Sequence, residues 1–151
     1  MSGAFERDRR VRFGHCDPAG IVFYPQYLVM CNELVEDWFD TALGIPYAQF
    51  IGQRRLGLPT ARLECDFTAV SRFGDVLTQR LCVQRAGRTS LDVGIEMHGA
   101  DGLRLRARQV LVCTSLQTHR PTPLPDDLRL ALEPYLVRMT PDPVTAVPKP
   151  G

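Results

Sequence analysis

The sequence has no run of apolar residues near the roughly 18 that a membrane-crossing helix needs, so no such helix is expected. Its opening stretch, MSGAFERDRRVRFG, carries charges with no apolar segment behind them, so no secretory leader is expected either. No Cys-x-x-Cys pair occurs. The five cysteines, Cys16, Cys31, Cys65, Cys82 and Cys113, are odd in number and lie inside apolar runs. That usage reads as reduced, buried thiols in a cytoplasmic protein. There is no Gly-rich phosphate loop and no cluster of metal ligands, since His15, His98 and His119 are scattered; no metal and no cofactor are expected. An excess of one charge sign is also missing. The 18 Lys and Arg face 17 Asp and Glu, for a formal net charge of +1, which gives no reason to expect nucleic acid or an anionic membrane as partner. No internal repeat is visible.

What remains is an ordinary globular composition, 44% hydrophobic and 23% charged over 151 residues, enough for one domain with a full core. Residues 1–136 read as that domain. Residues 137–151 hold Pro141, Pro143, Pro148 and Pro150 and are expected to be a disordered tail. Residues 5–14 read as a charged first strand ending at Gly14. The spacing then predicts one helix from Gln26 to Leu43, with Pro25 in its first turn, where a missing N–H is tolerated. Leu28, Cys31, Val35, Trp38, Phe39 and Ala42 share one arc of it. Asn32, Glu33, Glu36, Asp37 and Asp40 share the other, with Val29 and Leu43 on that polar side. Gly44, Ile45 and Pro46 end it.

Beyond the helix the period falls to two. Leu63, Cys65, Phe67 and Ala69 alternate with polar residues as a half-buried strand. Phe73-Gly74-Asp75 turns the chain into a strand over 76–85, and the hairpin Ala86 to Thr89 leads to 90–98, where Leu91, Val93, Ile95 and Met97 point one way. A last long strand covers 103–116. Leu103, Leu105, Ala107, Gln109, Leu111 and Cys113 line one face of it, and Arg104, Arg106 and Arg108 start an outward one. Val110 and Val112 continue that outward face, so its far end is expected to be covered by a second subunit. A short helix is expected near 126–136. The fold class is α+β, one long central helix wrapped by an antiparallel sheet of about five strands.

The chemistry concentrates between His15 and Tyr27, HCDPAGIVFYPQY. Asp-Pro opens many turns that carry no chemistry. Here the turn brings a carboxylate, Asp17, to the mouth of a helix, whose first N–H groups are free and whose dipole favours negative charge. A carboxylate so placed can attack a carbonyl or activate water, and the free N–H groups can hold the oxyanion that forms. If Tyr24-Pro25 opens the helix, the Tyr24 backbone N–H is the natural donor. Gly20 permits close approach, and its N–H is a second candidate.

RFGHCDPAGIVFYPQY, followed by a long helix and an antiparallel strand series, resembles the hotdog-fold thioesterases, and within them the 4-hydroxybenzoyl-CoA thioesterase family. The resemblance spans roughly residues 8–135. Its sharp motif is Asp17-Pro18-Ala19-Gly20-Ile21-Val22, backed by Tyr24-Pro25 and Tyr27. It implies an acyl-CoA thioesterase acting on an aromatic or short-chain acyl group, with Asp17 as nucleophile or general base. Coenzyme A enters as part of the substrate. His15 departs from the acidic residue common at its place in the family, and its role stays open between acid or base, positioning and simple exposure. Cys16 reads as a packed thiol rather than a nucleophile.

By the same resemblance Asn32, where an aspartate is expected, touches the acyl group. Glu33, Tyr47 and Thr60 are further pocket candidates, each with a plain solvent-facing or packing alternative. Arg85, Arg88, Ser90 and Arg120 are candidates for the nucleotide end of coenzyme A. The resemblance further implies a homodimer or homotetramer with the site at a subunit interface. Two other functions stay open. One is a hotdog enoyl-thioester hydratase or dehydratase using His15 and Asp17. The other is a non-catalytic acyl-CoA-binding module.

Overall fold

A computed structural model describes residues 3–137. Strand β1 (Phe5–Arg10) is followed by a short 3-10 turn (Phe13–His15), helix α1 (Tyr24–Trp38), a π turn (Phe39–Leu43) and helix α2 (Tyr47–Gly52). Then come β2 (Leu56–Gly57), β3 (Thr60–Phe67), β4 (Val76–Ala86), β5 (Ser90–Gly99), β6 (Gly102–Val112), β7 (Thr114–Ser115), helix α3 (Asp126–Leu132) and a 3-10 turn (Glu133–Tyr135). Five strands form one antiparallel sheet in the order β1-β4-β5-β6-β3, and β2 pairs with β7. No helix among the described residues is long and apolar enough to cross a membrane.

The core lies between α1 and one face of the sheet. Met30, Cys31, Leu34 and Trp38 of α1 meet Leu77, Leu81, Leu91, Val93 and Met97, all fully buried. Each such side chain stabilises the fold by about 1.5–3 kcal/mol. The predicted inward register of β5 and β6 holds up to the bulge: Leu91, Val93, Ile95, Met97, Leu105, Ala107, Gln109 and Leu111 are buried, as is Cys113 just past β6, whereas Leu103 beyond the shift at Met97/His98 is only half-buried. Gly44 ends the helical run in a left-handed conformation (φ 70°), as a glycine stop should.

Several boundaries move. β1 stops at Arg10 rather than Gly14, because Val11 turns into the core and exchanges hydrogen bonds with Asp75 and Gly74 instead. α1 begins at Tyr24, two residues before Gln26, with Pro25 inside its first turn. Its buried arc is rotated from the expected one. Tyr27, Met30 and Leu34 are buried, whereas Leu28 is only half-buried and Ala42 is exposed. The π turn advances fewer degrees per residue than an α-helix, and it returns Leu43 to the buried side. The 103–116 strand breaks at Cys113, since β7 turns away to pair with β2. The predicted C-terminal helix is seven residues of α-helix followed by a 3-10 turn.

Two corrections matter for the site. The turn at Phe73-Gly74-Asp75 does not fold β3 back on β4. β1 occupies that edge of β4, and β3 pairs with β6 on the opposite edge of the sheet. β3 is therefore an edge strand, exposed along nearly all its length rather than half-buried, with Leu63 39% and Phe67 48% exposed. Arg104 also leaves the outward stripe. A bulge at Met97/His98 shifts the register beside it, and its guanidinium is buried among residues 70–75 and Asp101. Of the tail expected over 137–151, only Val137 is described, and its N–H donates to the Val83 carbonyl at 2.9 Å; the rest lies outside the described residues.

Candidate active site

The stretch before α1 is a tight loop tied at both ends. Cys16 and Val22 form an antiparallel bridge, Asp17 N–H donates to the Ile21 carbonyl at 3.0 Å, and Gly20 N–H donates to the Asp17 carbonyl at 2.9 Å. Gly20 sits at φ +77°, a conformation that glycine adopts without penalty. Asp17 is half-buried as a residue, and its Oδ1 accepts from the Ala19 N–H at 2.8 Å in an exposed hydrogen bond. Its Oδ2 takes no part in the bonds that hold the turn.

The loop rests on residues 70–75. Val22 N–H donates to the Ser71 carbonyl at 2.9 Å, Phe73 N–H donates to the Gly20 carbonyl at 3.1 Å, and Ile21 bridges Arg72. Phe23 N–H donates back to the His15 carbonyl at 2.9 Å, which sets the start of the helix beside the turn. At that start Gln26 N–H turns back to the Phe23 carbonyl and Pro25 has no N–H. Tyr24 N–H, at the first helical position, makes none of these bonds. It is therefore the helix-end donor available to an oxyanion. Gly20 differs, because its N–H is already spent inside the turn.

His15 accepts the Arg12 N–H on Nδ1 at 2.8 Å, so its proton is carried on Nε2. Burial holds its pKa below the usual imidazole value; Glu33 pulls the other way, and Arg9 and Arg12 reinforce the decrease. His15 and Glu33 line a polar cavity of about 400 Å³ with Asp8, Arg9, Arg10 and Arg12. Cys16 is partly buried against the core and its thiol points to the Arg12 carbonyl at 3.5 Å. Desolvation and the Asp17 charge push its pKa up, the wrong direction for a nucleophile.

Four predicted pocket residues come together. Asn32, Glu33, Tyr47 and Thr60 line one cavity of about 330 Å³, closed by Val29, Val35, Glu36, Leu58, Pro59 and Leu111. Tyr47 is fixed there by packing, with its ring 5.0 Å from Phe39 and stacked on Phe50, and by its N–H donating to Asp40 Oδ1 at 2.7 Å. Burial and the Glu36 charge raise its pKa, so it stays a phenol. Behind the wall lies Gln109, which the alternation of β6 marks only as an inward position. Gln109 is 4% exposed and donates from Nε2 to Thr60 Oγ1 at 3.2 Å and to Asn32 Oδ1 at 3.5 Å. The available signal was one amide inside the apolar run Leu105, Ala107, Leu111.

Arg85, Arg88, Ser90 and Arg120 do not line that cavity. They gather at the hairpin end of the sheet, where Ser90 pairs with Val112 and Ser115 N–H donates to the Arg120 carbonyl at 2.9 Å. Arg85, Arg88 and Arg120 are exposed. The Arg88 carbonyl anchors the segment before α3, accepting from Leu124 N–H and from Arg129. Among the described residues, no three of His, Cys, Asp and Glu gather closely enough to hold a metal ion.

One long helix on a five-stranded antiparallel sheet is the hotdog fold of the thioesterases. Residues 11–132 match the family described as the thioesterase-like superfamily, and the chain belongs to it. It is 30% identical to a 1,4-dihydroxy-2-naphthoyl-CoA hydrolase of Synechococcus elongatus over 126 residues, 83% of this chain and 92% of that one. It is also 30% identical to a 4-hydroxybenzoyl-CoA thioesterase of Pseudomonas sp. over 91 residues, 60% and 64% of the two chains. The crystal structure of a 1,4-dihydroxy-2-naphthoyl-CoA thioesterase from Synechocystis superposes with a TM-score of 0.78 at 29% identity, covering 86% of this chain and 96% of that one.

Proposed function

We propose that the protein hydrolyses acyl-CoA thioesters with an aromatic, hydroxylated acyl group to the free acid and coenzyme A, short-chain acyl groups being the next class. What supports this reading is the Asp17 carboxylate on a turn that the Phe23–His15 hydrogen bond ties to the start of α1, where the Tyr24 N–H is uncommitted. Asp17 either attacks the thioester carbonyl, giving an anhydride that water opens, or takes a proton from the water that attacks. In both routes charge builds on the carbonyl oxygen, which Tyr24 N–H stabilises, and the sulfur leaves as thiolate. A cavity of about 330 Å³, lined by Asn32, Glu33, Tyr47 and Thr60, is of a size and polarity to hold one or two fused rings with a hydroxyl. The names of the Synechococcus and Pseudomonas relatives support an aromatic acyl group.

Arg85, Arg88, Ser90 and Arg120 are assigned to the phosphates and nucleotide of coenzyme A; they are an exposed cationic group at the sheet end where Ser90 pairs with Val112, whose N–H donates to the Pro59 carbonyl at the cavity. The working unit is a homodimer, or a homotetramer of two such dimers, joined through β3. Leu63 and Phe67 are exposed on that edge, and the Phe67 ring lies 5.9 Å from exposed Tyr24, so the joint adjoins the Asp17 turn. The compartment proposed is the cytoplasm, in keeping with five free cysteines.

The test is a panel of 4-hydroxybenzoyl-, dihydroxynaphthoyl-, benzoyl-, phenylacetyl-, short-chain and long-chain CoA thioesters assayed for thiol release. Hydroxylated aromatic substrates are expected to lead and long chains to come last. Hydration of an enoyl thioester without thiol release points to a hydratase instead, and binding without turnover to a sensor.

A further inference from the structure

Gln109 is a costly residue to keep where it stands. It occupies the inward register of β6 beneath α1, nine-tenths of the way out of solvent and beyond, and its Oε1 is buried with no partner among the described residues. A buried acceptor left unpaired costs free energy that leucine would not. Its other atom joins two elements, since Nε2 donates to Thr60 Oγ1 on β3 at 3.2 Å and, at the outer limit of a hydrogen bond, to Asn32 Oδ1 on α1 at 3.5 Å. Both partners line the cavity that Gln109 itself does not.

These bonds fix the polarity of the cavity. With a lone pair of Thr60 Oγ1 taken by the amide, the hydroxyl proton is left to point elsewhere. With one lone pair of Asn32 Oδ1 taken, the balance of what that side chain offers shifts to its two Nδ2 hydrogens. We infer that Gln109 is a positioning residue that turns Thr60 and Asn32 into a pair of hydrogen-bond donors at the acyl end of the cavity, and so selects acyl groups carrying an acceptor oxygen, an aryl hydroxyl or its phenolate, over plain rings. This rests on the acyl-CoA reading above and adds its specificity. It also removes the difficulty of an asparagine where an aspartate was expected: a donating Asn32 recognises the oxygen of the ring hydroxyl, where a carboxylate recognises its proton.

The experiment measures kcat/KM for 4-hydroxybenzoyl-CoA and benzoyl-CoA on wild type, Gln109→Leu and Gln109→Glu. The ratio of the two substrates should fall by about tenfold in Gln109→Leu, the worth of one hydrogen bond. Gln109→Glu, which keeps the length and accepts but does not donate, should lose the preference as well. Thr60→Val reports on the same ratio from the exposed start of β3, should the core variants not fold. A loss of activity by the same factor on both substrates, or a ratio kept within about twofold, the size of ordinary mutational scatter, overturns the inference. A wild type that hydrolyses both thioesters without preferring the hydroxylated one overturns this inference alone. A wild type that hydrolyses neither overturns the aromatic acyl-CoA reading and this inference with it.

Discussion

Replacing Arg104 by methionine should loosen the ground on which the Asp17 turn stands. The guanidinium donates to the Val70 carbonyl at 2.8 Å, Ser71 Oγ at 3.2 Å, Asp75 Oδ2 at 2.9 Å and Asp101 Oδ1 at 2.6 Å, with only 9% of the side chain exposed. Ser71 in turn accepts from Tyr27 at 2.8 Å and, through its carbonyl, from Val22. Methionine keeps the apolar stem but leaves the Val70 carbonyl and Ser71 hydroxyl without this donor. Asp101 is 80% exposed and counts for little. Asp75 is a third exposed and counts in part. The bonds to buried Ser71 and to the part-buried Val70 carbonyl dominate, giving a loss of about 3 kcal/mol, or about 10 °C in Tm for a domain of this size.

The variant should also lose turnover at temperatures where it is still folded, because residues 71–73 hold Gly20, Ile21 and Val22. The pH dependence has a definite sign. The Arg72 N–H first, and then the Arg104 guanidinium, hold the Asp75 carboxyl below its ordinary value. A carboxyl whose folded pKa lies below its unfolded one contributes stability in full above the unfolded value, near pH 4, and loses it as pH falls through the folded value. Asp75→Asn should therefore flatten the acid limb of the wild-type melting curve. An Arg104→Met protein that melts within about 2 °C of wild type at pH 7, less than the shift of a single kcal/mol, refutes the role given to this residue.

Arg88→Ala should raise KM for acyl-CoA about tenfold with kcat little changed, because a phosphate contact is made equally in ground and transition states; an unchanged KM for both the CoA thioester and a truncated pantetheine thioester removes the hairpin from the nucleotide site. Phe67→Arg on the exposed β3 edge should give monomers by light scattering at micromolar concentration, and an unaltered oligomer means the joint lies elsewhere. Cys16→Ala should keep nearly all the turnover, since its thiol is raised in pKa and packs against the core; a collapse of activity with the fold intact contradicts the packing assignment.

The elements with a clean period were legible. β5 and the inward face of β6 carry alternating apolar residues, and the structure buries all of them except Leu103, which lies past the bulge and is half-buried. The DPAG turn, the helix after it and its Gly44 stop were legible for the same local reasons. Strand order was not, since nothing in the sequence of β3 says which edge it joins; its alternation of Leu63, Cys65 and Phe67 looks like a buried face and is an exposed one within a single chain. Long-range polar partners were equally hidden. Arg104 has the alternation of the first of three outward arginines, but it is the unpaired, bulged residue of β6 opposite Met97 and His98, and its guanidinium lies among residues 70–75. Asn32, Glu33, Tyr47 and Thr60 were named from resemblance, and it takes the fold to bring them to one cavity, with Gln109 behind two of them.

If the Asp17 carboxylate performs the hydrolysis, Asp17→Asn removes turnover and little else. The asparagine oxygen can still accept from the Ala19 N–H, so the turn, the melting temperature and the oligomer should be those of the wild type. Only the negative charge is lost. On the best thioester of the panel, kcat should fall by about 10²–10⁴-fold, with acyl-CoA binding retained. A folded Asp17→Asn protein that turns over at close to the wild-type rate contradicts the assignment of this turn as the catalytic centre.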